Sequence, residues 1–198
     1  MLVGRTLRQP PADAHLPSHQ LLVRAGYVRA LEGGLLVYLP LGLLALRRLQ
    51  SLVGRELAPL TAQEVALPAS ADADAGFVSL VRREVDSYRQ LPASLCQTTI
   101  RPMPPSRSRA GLFGAGQRPI FEIYSFGSAD EAPSGVATVA GQVTAALDRI
   151  LAACDLPAVW AGAGDGGQHL CYVHPSGDES LVRCPACGYA AERGWATT

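Results

Sequence analysis

Apolar positions recur along this chain with two periods, and the periods define its elements. After Ser18, which can cap a helix, Leu21, Leu22, Ala25 and Val28 fall at helical spacing, predicting a helix over about 19–31 that Gly33-Gly34 ends. Leu35 to Leu39 reads as a short strand. Pro40 suits a first helical turn, and a long amphipathic helix is expected over about 41–57, with Arg47, Arg48 and Arg55 on its wet side. Gln63 to Leu67 reads as a strand, and the small, acidic stretch 69–76 as a loop. Further helices are expected over about 77–90 and 136–153, and strands over 95–100, 119–125 and from Ala158. Between the first and second of these strands lies a long Pro/Ser/Arg/Gly loop over 101–116. Residues 170–198 look like a hairpin module. Strands and helices without a strict βαβ rhythm predict an α+β fold with a largely antiparallel sheet flanked by helices.

Composition narrows the reading. The chain has 198 residues, room for one α/β-type domain and a small appendage. Basic and acidic side chains number 17 each, so no global basic footprint exists and RNA contact would need a local patch. Apolar residues make up 48%, as in a folded domain. The apolar run 33–46 is too short to span a bilayer and contains Pro40, and no leader-like segment opens the chain. A cytoplasmic protein without membrane contact is expected. Five cysteines, an odd number, speak against a secreted disulfide framework.

The sharpest local pattern is Cys171-Tyr-Val-His174, nine residues, then Cys184-Pro-Ala-Cys187. Two ligand pairs, each with two intervening residues, can close on one tetrahedral ion, and three thiolates with one imidazole form a closed structural zinc site. This predicts a domain boundary near residue 168, with a zinc-stapled hairpin over 169–198. The competing reading makes Cys171 and His174 ordinary strand residues beside a remnant Cys184–Cys187 pair. A redox pair is disfavoured by the pattern, because the Cys-x-x-Cys does not open a helix. Cys96 and Cys154 have no partners at useful spacing and are expected to be buried. Arg107 and Arg109, flanked by Arg101 and Arg118, make a basic, glycine-rich loop suited either to phosphate contact or to a solvated surface. Asp72, Asp74, Asp178 and Glu179 sit among small residues typical of turns.

The order of several segments resembles the bacterial-type prolyl-tRNA synthetases of class II. Ser18-His-Gln-Leu-Leu-Val-Arg-Ala-Gly26 is similar to their opening motif. Gly34, Leu39-Pro40, Gly42, the arginine-rich helix and Glu64-Val-Ala-Leu-Pro68 resemble motif 1, which implies a homodimer interface. Ser87-Tyr88 with Gln90-Leu91-Pro92, Arg107-Ser-Arg109-Ala-Gly111, Tyr124-Ser-Phe126 and Cys187-Gly-Tyr-Ala-Ala191-Glu192 continue the resemblance in order. It implies a class II synthetase-like core, ATP and magnesium as ligands, and tRNA as partner, with Arg101, Arg107 and Arg109 as tentative phosphate contacts.

The departures point away from catalysis. The Phe-Arg-Asp-Glu of motif 2, whose arginine holds the α-phosphate, aligns with Pro102, Met103, Pro104 and Pro105. A later Arg-Glu pair aligns with Gly116 and Gln117, and a Thr-His-Glu-Glu loop with Asp72 to Ala75 after a missing segment. Motif 3 is expected to lie beyond Thr198. Adenylate formation needs cations aimed at the developing phosphorane, and Met103 and Pro105 supply none. The expectation is a non-catalytic paralogue acting as a dimeric binding or regulatory subunit for tRNA, a nucleotide or a protein. Two alternatives are an adenylate-forming ligase completed by a partner, and a structural component of a ribonucleoprotein or larger complex.

Overall fold

The computed structural model describes residues 3–31, 35–68, 72–102, 111–127, 132–164, 166–175, 177 and 179–196. It forms two compact units, Met1–Ala146 and Leu147–Thr198. Among the described residues the architecture is mixed α+β, with four α-helices and three small sheets.

In the first unit, α1 (Pro17–Arg24) begins with Pro17, whose missing N–H costs nothing at a helix start. Leu16 occupies the N-cap and Ser18 falls inside the first turn, so the cap expected from Ser18 does not form. The helix is also shorter than its periodicity suggests. Gly26, at φ +75°, turns the chain out of the helix. Val28 to Ala30 then form β1, which pairs antiparallel with β2 (Leu36–Tyr38).

Leu39 donates its N–H to the Tyr27 carbonyl at 2.8 Å, and α2 (Pro40–Leu57) starts at once, close to the expected span. Gly42 lies in its first turn against the same carbonyl, where a Cβ would meet the Tyr27 oxygen at 2.1 Å. The glycine of the Leu-Pro-x-Gly segment is therefore a packing requirement.

The central sheet runs β3-β4-β5. β3 (Gln63–Glu64) is parallel to β4 (Ala93–Pro102), and β4 is antiparallel to β5 (Gln117–Phe126) from Ala93↔Phe126 to Pro102↔Gln117. Alternation sends its side chains into two cores. On one side Phe121 and Ile123 pack with Val53 and Leu57 of α2, Leu60, and Val143 and Ala146 of α4 (Ala132–Ala153). On the other side Leu95, Tyr124 and Phe126 pack with Ala73, Phe77, Leu80 and Val81 of α3 (Ala73–Glu84). The loop expected to reach residue 76 yields earlier, because Asp72 caps α3 by accepting from the Ala75 N–H at 3.3 Å.

The second unit holds the end of α4 and a four-stranded sheet ordered β7-β6-β9-β8, with β6 Ala158–Gly162, β7 Gln168–Tyr172, β8 Leu181–Arg183 and β9 Ala190–Glu192. Within it β6 hydrogen-bonds to β7 from Ala158↔Tyr172 to Gly162↔Gln168. Trp160 Nε1 donates to Asp148 Oδ1 at 2.8 Å. The Trp195 ring lies so close over Gly164 that a Cβ there would come within 2.2 Å of it. No described helix is long and apolar enough to cross a membrane.

Two glycines of α2 should respond oppositely to the same substitution. Gly42→Ala drives a methyl into the Tyr27 carbonyl and should lose about 1–3 kcal/mol in urea unfolding. Gly54→Ala, with nothing within 4 Å of the new atom, should be neutral or gain up to about 1 kcal/mol from helix propensity.

Candidate functional site

The register of β4 and β5 puts Leu95, Gln97, Thr99 and Arg101 opposite Tyr124, Glu122, Ile120 and Arg118 on the face that α3 covers. Toward Tyr124 this row is apolar, and toward Arg101 it is charged. Gln97, almost fully buried, accepts the Leu67 N–H through Oε1 at 3.1 Å and donates Nε2 to Glu122 Oε2 at 2.6 Å. Arg101 donates to both oxygens of Glu122, at 2.7 Å to Oε1 and 2.9 Å to Oε2. Charge-assisted bonds of this kind are stronger than neutral ones, so Arg101 is turned along its own sheet by Glu122.

In the first turn of α3, Asp74 accepts the Tyr124 hydroxyl at 2.5 Å, and the Tyr124 ring stacks on Phe77 with centroids 4.1 Å apart and planes 23° from parallel. Burial, then the hydrogen bond and charge of Asp74, then the charge of Glu122 push the Tyr124 phenol up to about 12.

Of the three arginines singled out from the sequence, Arg101 is thus placed in an ion pair on β4. Arg107 and Arg109, like Met103, Pro104 and Pro105, lie outside the described residues. All 17 cationic side chains of the chain are arginines. Residues 1–146 carry 14 of them against 11 carboxylates, and residues 147–198 carry three against six, a surplus of +3 in the first unit and −3 in the second. The segment 93–126 holds Arg101, Arg107, Arg109 and Arg118 with Glu122 as its one acid, which also comes to +3.

Behind the opposite face of the sheet lies a mainly apolar cavity of about 520 Å³ under α2, lined by Val53, Leu57, Cys96, Phe121 and Ile123 with Glu64 among its polar members. Cys96 is buried as expected, and burial followed by the Glu64 charge pushes its thiol up. Cys154 is half-buried, one turn past the last buried residue of α4, Ile150. Leu41, Leu43, Leu44 and Leu49 on α2 are exposed.

The four cysteine and histidine positions of the expected zinc site divide. Cys171 sits on the edge strand β7, its thiol directed at the His169 carbonyl, and His174 follows that strand and stacks on Tyr172. Burial, then Glu192 and Glu179, push the Cys171 thiol up. Cys184 and Cys187 occupy the turn after the other edge strand, β8. Bonds from the backbone N–H groups of Cys187 and Ala186 and to the Cys187 side chain lower the Cys184 thiol. β6 and β9 stand between the two edge strands. Among the described residues, no group of three or more His, Cys, Asp or Glu side chains is placed to hold a metal ion.

Comparison with known proteins places these strands in context. The proline–tRNA ligase of Desulfitobacterium hafniense is 32% identical over 230 aligned positions, which cover 96% of this chain and 40% of that enzyme. That of Streptomyces coelicolor is 33% identical over 229 positions, with 96% and 40% covered. That of Kocuria rhizophila is 34% identical, covering 98% of this chain and 38% of the enzyme. No family profile matches the chain.

The chain is a relative of the proline–tRNA ligases.

It spans about 40% of the length of these curated relatives. The 230 aligned positions exceed the 198 residues of the chain, so the proline–tRNA ligase of D. hafniense carries segments within the matched region that this chain lacks. A residue-by-residue reading of the sequence points to Arg101 but misses the partners that hold it. Gln97 and Glu122 could have been found from strand alternation, since both share a face with Arg101 and Tyr124. Asp74 read as a turn residue, and its bond to Tyr124 spans 50 positions of sequence.

The raised Tyr124 phenol has a testable consequence. A folded-state value above the unfolded one contributes stability that is intact below the unfolded value and is lost as pH rises through the folded value. Stability should therefore fall between about pH 10, the model-peptide value, and about 12. Tyr124→Phe should flatten that fall, and Asp74→Ala should bring the phenol down in an ultraviolet absorbance titration.

Proposed function

We propose that this chain is a non-catalytic proline–tRNA ligase-like subunit that binds RNA phosphates on the β4–β5 hairpin and self-associates through α2. The observation that carries the reading is the Arg101–Glu122 pair. The position that a phosphate-clamping arginine takes in the resembled motif holds Met103, and the nearest cation on β4, Arg101, is bound to a carboxylate of its own sheet. A triphosphate arriving there would have to displace Glu122 before it gained a clamp. Arg107 and Arg109, by contrast, follow β4 in a glycine-containing stretch of sequence, and the segment's charge surplus equals that of the whole first unit. That distribution suits salt-dependent contact with a phosphate backbone better than one aimed charge.

The names of the relatives favour a second reading, an amino-acid-activating enzyme. Proline-dependent ATP–pyrophosphate exchange separates the two. No exchange above background is expected with proline or any other amino acid, and exchange with a single amino acid would establish the enzyme reading instead. For RNA, log Kobs against log salt for a tRNA should have a slope of about −2 to −3, reduced by about 2 in the Arg107→Ala, Arg109→Ala double variant. An affinity indifferent to salt would remove the phosphate-binding claim.

Self-association rests on the exposed leucines of α2, which a lone copy would present to water at 43% for Leu41, 49% for Leu44 and 51% for Leu49. Light scattering at micromolar concentration should give twice the chain mass, and Leu44→Glu with Leu49→Glu should give a folded monomer. A wild-type monomer would refute the dimer.

A further inference from the structure

We infer that Cys184 and Cys187 form a reversible dithiol–disulfide pair, a modification site that reacts with small disulfides of the glutathione class. The pair occupies the turn joining β8 to β9. Cys184 donates its N–H to the Tyr189 carbonyl at 2.8 Å, and Gly188 donates to the Cys184 carbonyl at 3.0 Å. Gly188 adopts φ +77°, which a glycine accepts without strain, and this folds the four-residue segment back on itself. The ends of so tight a turn lie within the Cα separation that a disulfide spans. Cys184 and Cys187 thus stand three positions apart within one closed turn. Cys187 is exposed, giving a reagent access.

The zinc alternative needs a third and fourth ligand. The two candidates face elsewhere, Cys171 toward the His169 carbonyl on β7 and His174 against Tyr172. Spacing in the sequence argues against redox chemistry because no helix N-terminus follows the pair. The closed turn, which the spacing does not disclose, brings the two cysteines together instead.

The chemistry balances as two exchanges. The Cys187 thiolate attacks one sulfur of the small disulfide, forming a mixed disulfide and releasing one small thiolate. The Cys184 thiolate then attacks the Cys187 sulfur, closing the protein disulfide and releasing the second. Two protein thiols are oxidised and one small disulfide is reduced to two thiols, with the two thiol protons passing to the released thiolates or to solvent. The ring closed by the bond is very short, so it constrains little unfolded chain. The bond acts as a reversible mark on the β8–β9 turn rather than as a staple.

The test uses the whole chain, expressed with added zinc and purified under reductant. Zinc should fall below about a tenth of an equivalent per chain after gel filtration. Oxidised glutathione should then remove two of the five thiols, lower the intact mass by about 2 Da, and give a peptide linking Cys184 to Cys187 that dithiothreitol reopens. In Cys184→Ser the second step is impossible, so the glutathione adduct on Cys187 should persist. One retained equivalent of zinc that protects both thiols would overturn the inference. So would a linkage to Cys96, Cys154 or Cys171, or failure of the Cys184→Ser chain to hold an adduct.

Discussion

The ten-pair antiparallel ladder between β4 and β5 is the constraint on which the first unit depends. Its register assigns every side chain of both strands to one of two sides. One side becomes the α3 core with Gln97, Glu122 and Arg101 at its charged end, and the other becomes the floor beneath α2 and α4. A slip of one residue would exchange these roles wholesale and send Glu122 under α2. The ladder is secured from both faces, by Phe77 against Tyr124 and by Leu57 and Ala146 near Phe121 and Ile123. The Ser94–Ser125 hydroxyl contact at 2.9 Å is a further cross-strand link near its open end.

Glu122 has both oxygens occupied by Gln97 and Arg101, so the carboxylate is compensated where it is largely shielded from water. That arrangement is self-sufficient. It gives the sheet a closed network of its own.

How much of this was legible beforehand depended on the range of the physics involved. The α2 helix could be read because its periodicity, Pro40 and the arginines on its wet face all agree locally. β4 and β5 were legible from β-branched and aromatic enrichment, though each runs longer than its apolar stretch because pairing extends a strand past its propensity. The first helix misled: Val28 keeps the helical spacing, yet Gly26 ends the helix and pairing with β2 claims Val28 to Ala30. The order of motifs disclosed the family. The Asp74–Tyr124 bond and the partners of Arg101 were hidden, because they depend on how distant segments meet. The four-residue Cys/His spacing was plain in the sequence, but it says nothing of the two strands that stand between β7 and β8.

The two tryptophans of the chain, Trp160 and Trp195, both belong to the second unit, one tied to Asp148 and the other lying over Gly164. Residues 1–146 contain none. Light absorbed at the red edge of the protein spectrum is therefore taken up and emitted by residues 147–198 alone, while the most perturbed phenol, Tyr124, reports on the other unit. The molecule is optically partitioned along the same line as its fold, so the melting of each part can be watched without attaching a label.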